Sequence, residues 1–150
     1  ERMKLGLLIH DPEEEHDCFS DNTHNAHYYD ALGIRNVYLG SYKRPDGSVV
    51  SGPSPSDLVR AKSVEADMRT RTALDETIQR MGEIVKRAEG GEHYDQLIGE
   101  GNEQGNALVE QTIQALIAQS KEFERDIAAL ELKSIQFEGS DSLDNPDTVR

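Results

Sequence analysis

Residues 13–30, EEEHDCFSDNTHNAHYYD, concentrate the side chains that could do chemistry. Glu13, Glu14 and Glu15 run directly into His16, and His24 and His27 follow. His10, Asp17, Asp21 and Asp30 extend the set, and no Lys or Arg interrupts it from His10 to Asp30. Deprotonated carboxylates and neutral imidazoles are donors for zinc and iron. If residues 21–30 are helical, His24 and His27 share a face at i, i+3 spacing. Asp21, three residues before His24, falls on that face too, and the three could ligate zinc or iron. The competing reading is an acidic, solvated surface that happens to carry histidines, the usual meaning of a charge run. Cys18 reads as a small apolar residue rather than a ligand. His93 reads as an isolated surface residue. His10 and Glu13 match His-x-x-Glu only formally, because Pro12 between them breaks the helical register.

Other chemistry is missing from the text of the chain. It holds no His-Glu-x-x-His helix, no phosphate-binding glycine loop and no Gly-x-Ser-x-Gly elbow. DSLDNPD lacks the spacing of a calcium loop. The net charge of -13 repels phosphate backbones and anionic lipid, so nucleic acid is discounted and cations or a basic partner are favoured. One cysteine allows no internal disulfide. No apolar run approaches the length of a membrane span.

The elements that must position these residues read as helices. ERMKLGLLIH is the end of one, broken by Asp11-Pro12. Residues 13–30 mix a turn with a helix, and 31–42 form a short helix or an extended segment, with helix favoured. Residues 42–57 form a loop whose SVVS supplies one arm of a small hairpin. Ser54, Pro55 and Asp57 start a long helix with a capping box. Its apolar stripe is Val64, Met68, Leu74, Ile78, Met81 and Val85, with Arg71 in the gap, over about eight turns. EGG at 89–91 stops it, and EHYDQLIG is a short helical piece. GEGNEQG reads as a linker. A second long helix runs from Ala107 to Leu130 on Val109, Ile113, Leu116, Phe123, Ile127 and Leu130. The chain therefore divides into a motif-bearing region at 1–56, two bundle helices at 57–132 and a polar tail at 133–150. The uncapped start and the two unpartnered stripes imply a piece of a longer chain whose upstream helices complete the bundle.

EEEHDCFSDNTH, then GIRNVYLGSY, then SGPSPSDLV, in that order, resemble the imelysin family. The similarity continues through YDQLIGEGNEQGNALVEQTIQAL and SIQFEGSDSLDNPD and matches the second half of such proteins. The resemblance implies an all-α helical bundle, here the C-terminal half of a two-domain fold with a site between the halves. It implies export to the periplasm or to an outer-membrane lipoprotein anchor carried upstream. It implies a role in iron uptake or, alternatively, metallopeptidase activity, with zinc or iron as the metal. The expected partner is the N-terminal half, which carries the family's Gly-x-His-x-x-Glu signature. The polar positions matching the family are Glu14, Glu15, His16, Ser20, Asp21, His24 and Arg35, whereas His27 departs from the pattern. Glu14, His16, Asp21 and His24 are the metal-ligand candidates, and Ser20 and Arg35 line the site. Under a peptidase mechanism a zinc ion would activate water, with Glu15 as general base and His24 beside it. Arg35 would neutralise a buried carboxylate or anchor an anion. A purely structural or interaction domain remains the third possibility.

Overall fold

A computed structural model describes residues 2–133, with Arg2 described by its backbone alone. Of the polar tail assigned to 133–150, everything past Lys133 lies outside the described residues. Helix α1 spans Arg2–Ile9, α2 Thr23–Leu39, α3 Pro55–Lys62, α4 Val64–Glu89, α5 Tyr94–Ile98 and α6 Glu103–Ala129. Two 3-10 turns, Pro12–Glu14 and Cys18–Ser20, bridge α1 to α2. The fold is all-α, as the pattern of elements predicts. Strands β1 (Ser41–Lys43) and β2 (Val49–Ser51) form one small antiparallel hairpin, with Tyr42 opposite Val50.

Helices α2, α4 and α6 make the bundle. Cross-helix pairs run in opposite senses along α4 and α6, Thr70 with Asp126 and Arg80 with Gln111, so these two lie antiparallel. Tyr38 with Asp67 and Arg35 with Asp75 set α2 antiparallel to α4 in the same way. The apolar core joins Met81 and Ile84 of α4, Leu97 and Ile98 of α5, and Val109 and Ile113 of α6. Each such side chain, fully buried, contributes roughly 1.5–3 kcal/mol. Among the described residues no helix is long and apolar enough to cross a membrane.

Two boundaries differ from the sequence reading. The helix expected to run unbroken from Ser54 splits at Ser63, which is extended (φ -152, ψ 107). Its hydroxyl accepts from Ala66 N–H at 3.2 Å and caps α4 afresh. The split rotates the buried face. Val64 and Met68, expected inside, are exposed, and Ala66, Asp67 and Thr70 are buried instead. The stripe there is small and polar, which hydrophobic periodicity does not detect. The second difference is α6, which begins four residues before Ala107. Asn102 Oδ1 accepts from Gly105 N–H at 2.9 Å, so the supposed linker is a capped first turn. Gly105 is obligatory there, since a Cβ would stand 2.7 Å from Leu97 O.

The buried polar face of α4 anchors three helices. Asp67, almost fully buried, accepts from Ser56 Oγ at 2.5 Å, Tyr38 Oη at 3.2 Å and Arg71 Nε at 2.9 Å. Arg71, placed in the stripe as a gap filler, is the countercharge, and its Nη2 also donates to Ser56 Oγ at 2.6 Å. Asp126 of α6 receives Thr70 Oγ1 at 2.8 Å, while its Oδ1 is buried without a partner. Burial, more than any other influence, holds the Asp126 carboxyl above the usual range, against the lowering effect of Thr70.

Replacing Asp67 should therefore be costly. Asp67→Ala leaves the part-exposed Arg71 guanidinium and two hydroxyls without their acceptor and is expected to destabilise the fold by about 2 kcal/mol, read as a lowered urea midpoint. Asp126→Asn should act the other way. Because folding raises the Asp126 pKa, the ionised form is penalised in the native state, and stability falls as pH rises through the raised value. The Asn variant escapes this. It should be the more stable protein at pH 7, with the difference closing below about pH 4.

Candidate metal and acid-base site

The polar stretch between α1 and α2 is held by its own short hydrogen bonds. Asp11 caps the first 3-10 turn, its Oδ1 accepting from Glu13 N–H at 2.9 Å, with Pro12 in the first position. His10, in a left-handed conformation (φ 51), donates from Nδ1 to Ile98 O at 2.8 Å and ties the end of α1 to α5. Buried Thr23, the first residue of α2, accepts from Asp17 N–H at 2.9 Å and fixes the far end. Between these anchors Glu15 turns inward, while Glu13 and Glu14 stay exposed.

The cluster is drawn from three separate segments. Glu15 comes from the loop, His24 and His27 from the first turns of α2, and His93 and Tyr94 from the start of α5. The His24 and His93 rings meet edge-on with centroids 5.9 Å apart. The His27 ring lies 5.5 Å from His16 and 5.8 Å from Tyr94. Asp21 Oδ2 sits 2.9 Å from His93 Nδ1, near enough to pair charges but out of line for a hydrogen bond. Glu15 Oε2, His24 Nδ1, His93 Nδ1 and Tyr94 Oη are all buried without a hydrogen-bond partner.

Electrostatics follow from that enclosure. Burial raises the Glu15 carboxyl above its ordinary value. The Thr23 hydroxyl opposes this, and the carboxylates of Asp95, Asp21 and Asp17 add to it. Burial, with the Glu15 charge, also pushes the Tyr94 hydroxyl up. Cys18 is half-buried, and desolvation followed by the charges of Glu15 and Glu13 raises its thiol. It is a protonated thiol at neutral pH, in keeping with its reading as an apolar residue rather than a ligand.

The structure brings together Glu15, His16, Asp21 and His24 of the residues singled out in sequence. It leaves three others outside. Glu14 is exposed on its 3-10 turn, and Ser20 is exposed with its hydroxyl donating to Asp17 O at 3.2 Å. Arg35 sits eleven residues along α2 from His24, about 16 Å away at 1.5 Å per residue. There its Nε donates to Asp75 Oδ1 at 2.7 Å on the bundle surface. The face-sharing triad of Asp21, His24 and His27 also does not form. Helix α2 starts at Thr23, so Asp21 is outside it in a left-handed conformation (φ 51), and the two histidines turn to different neighbours.

Sequence reading missed His93 and Tyr94. His93 is not isolated, since His24 and Asp21 both approach its ring. A signal for it existed: residues 91–96 read Gly-Glu-His-Tyr-Asp-Gln, one residue type away from Gly-x-His-x-x-Glu.

Imidazole, carboxylate and phenol are suitable donors for a transition metal. Their number is not sufficient: among the described residues no three of His, Cys, Asp or Glu converge to hold an ion. What the described cluster offers is a desolvated carboxyl beside imidazoles, suited to holding or moving a proton.

No curated protein matches the chain. A family model described as Peptidase M75, imelysin, matches residues 1–123. With most of its length matched, and with the acidic histidine stretch inside the match, the chain belongs to the imelysin family.

Proposed function

We propose that this imelysin chain forms one wall of a metal-associated site used in iron acquisition, in an exported protein of the periplasm or outer membrane. The opposite wall comes from an N-terminal half bearing Gly-x-His-x-x-Glu. One observation carries the reading. Four buried polar atoms from three chain segments, on Glu15, His24, His93 and Tyr94, lie in one cluster with no hydrogen-bond partner, His93 Nδ1 having Asp21 Oδ2 at 2.9 Å as an ion-pair neighbour. Each such atom costs roughly 1–3 kcal/mol when left unpaired. A chain that keeps four together retains them for something that binds there. The net charge of -13 favours a cation as that ligand.

A peptidase reading has its own support in the raised Glu15 carboxyl, which is tuned toward general-base work. It lacks a His-Glu-x-x-His helix. Titration calorimetry of the full-length protein with ferrous, ferric and zinc ions tests the first reading. Binding should weaken in both His24→Ala and His93→Ala and persist in Arg35→Ala. A full-length protein that binds none of these ions overturns it. Chelator-sensitive peptide cleavage that disappears in Glu15→Gln replaces it with the enzymatic one.

The orphaned Tyr94 hydroxyl gives a second check that needs no ligand. Tyr94→Phe keeps the buried ring and removes the unpaired group. It should raise stability by about 1 kcal/mol in urea denaturation. A loss of stability would reveal a partner for the hydroxyl.

A further inference from the structure

Helix α5 carries Tyr94 and is capped by His93, two members of the cluster, and it cannot hold them by itself. It has five residues, far fewer than an isolated helix needs in water. The carbonyls of residues 96–99 lie at its C-terminal end, where intrahelical donors run out. Each receives a side-chain donor from another element. Asn102 Nδ2 donates to Gln96 O at 2.8 Å. Asn106 Nδ2 donates to Leu97 O at 2.7 Å and to Gly99 O at 3.1 Å. His10 Nδ1 donates to Ile98 O at 2.8 Å.

Asn102 has two duties. Its Oδ1 caps α6 by accepting from Gly105 N–H, and its Nδ2 also donates to Glu92 Oε1 at 2.9 Å. Glu92 is in turn paired with Arg87 of α4 at 2.6 Å. One orientation of the amide satisfies all three contacts, because the helix start offers a donor while Gln96 and Glu92 offer acceptors. Asn102 therefore grips the chain on both sides of His93: Glu92 comes one residue before it and Gln96 three residues after. Gly105 lets the first turn of α6 close on Leu97 O, which brings Asn106 within reach of the same carbonyl. The apolar packing of α6 lies farther along the helix, at Val109, Ile113 and Ile117. The two amides thus bind the backbone that presents His93.

We propose that Asn102 and Asn106 are positioning residues for the site, holding α5 where the His93 ring meets His24 edge-on at 5.9 Å. The inference rests on the reading of the cluster as a metal-associated site. Asn102→Asp separates the two duties. Aspartate caps a helix as well as asparagine does, so α6 keeps its start, but it has no N–H for Gln96 O and sets a carboxylate against Glu92. Asn106→Ala removes the other two bonds and gives an independent second variant. Thr112→Val removes a buried hydroxyl bond to Leu108 O farther along α6 and is the control for lost stability alone. Circular dichroism checks that each variant is folded. The full-length protein is titrated with zinc by calorimetry, and the nuclear Overhauser effect between the His24 and His93 rings is followed in metal-free, histidine-labelled protein. Zinc affinity should fall about tenfold in each asparagine variant and hold in Thr112→Val. Adding Asn102→Asp to His93→Ala should weaken binding no further than His93→Ala alone, because the clamp acts through His93. The ring-to-ring signal should weaken in both asparagine variants and persist in Thr112→Val. An unchanged ring signal in Asn102→Asp and Asn106→Ala overturns the proposal, and so does a zinc affinity that Thr112→Val lowers equally. A full-length protein that binds no zinc removes the zinc reading of the site, and the ring signal then decides the positioning role by itself.

Discussion

The buried carboxylate of Asp67 is the constraint on which the bundle turns. It draws a donor from each of three helices, Tyr38 from α2, Ser56 from α3 and Arg71 from α4 itself. A buried charge with its hydrogen bonds satisfied adds little net stability over an apolar pair, yet it is strongly selective. Tyr38 reaches Asp67 only if α2 takes one rotation about its axis. Along α2, His24, Ala31 and Tyr38 are all buried and stand seven residues apart, close to two helical turns. They form one stripe. Fixing Tyr38 at one end therefore fixes which way His24 faces at the other.

The histidine end is built on a different principle. No large apolar side chain anchors the loop from His10 to Asn22, and Phe19 within it is fully exposed. Its backbone is instead satisfied locally, through Asp11, Asp17 and Thr23. That economy of contacts leaves Glu15 Oε2 and His24 Nδ1 without hydrogen-bond partners. Gly6 lets α1 come close to α5, since a Cβ there would already stand 3.0 Å from Ile98 Cδ1. The two ends of α2 thus divide the work: Tyr38 is buried and hydrogen-bonded to Asp67, while His24 is buried with its Nδ1 lacking a hydrogen-bond partner.

Much of this was legible in the sequence, for identifiable reasons. The Ser54–Pro55–Asp57 start appears as read, with Asp57 N–H bonded to Ser54 Oγ at 3.1 Å. The SVVS arm of the hairpin is present as β2 and its flank. The α6 stripe holds at Val109 and Ile113, where helix packing is apolar. It was the polar contacts that escaped. Ser63 caps without the glutamate that completes a capping box, so nothing in the pattern announces a new helix there. The α4 face that meets α2 is Asp67 and Thr70, which reads as solvent-facing until its partners are known. At the site, Asp21, His24 and His27 were expected on one helical face, and the structure does not place them so. A start two residues later than expected takes Asp21 off α2 and leaves it beside His93.

The spacing at residues 91–96 has a physical meaning that its near match to the family signature does not by itself provide. Gly91 has φ 92, a conformation costly for any side chain, and it turns the chain out of α4. His93 follows as the cap residue of α5, which places its ring at the mouth of the helix beside His24. Gln96, three residues on, accepts from His93 N–H at 3.1 Å and holds that residue in place. A glutamate could make the same bond, so the Gln here keeps the structural task and drops only the charge. Each of the three fixed positions thus has a separate duty: one bends the backbone, one presents the imidazole, one locks it. With a neutral residue in the third position, the local negative charge comes from elsewhere, from Asp21 at 2.9 Å and from Glu15 across the cluster. His93 is thereby placed by its own helix and approached by Asp21 of the acidic loop, and the cluster requires both segments to exist at all.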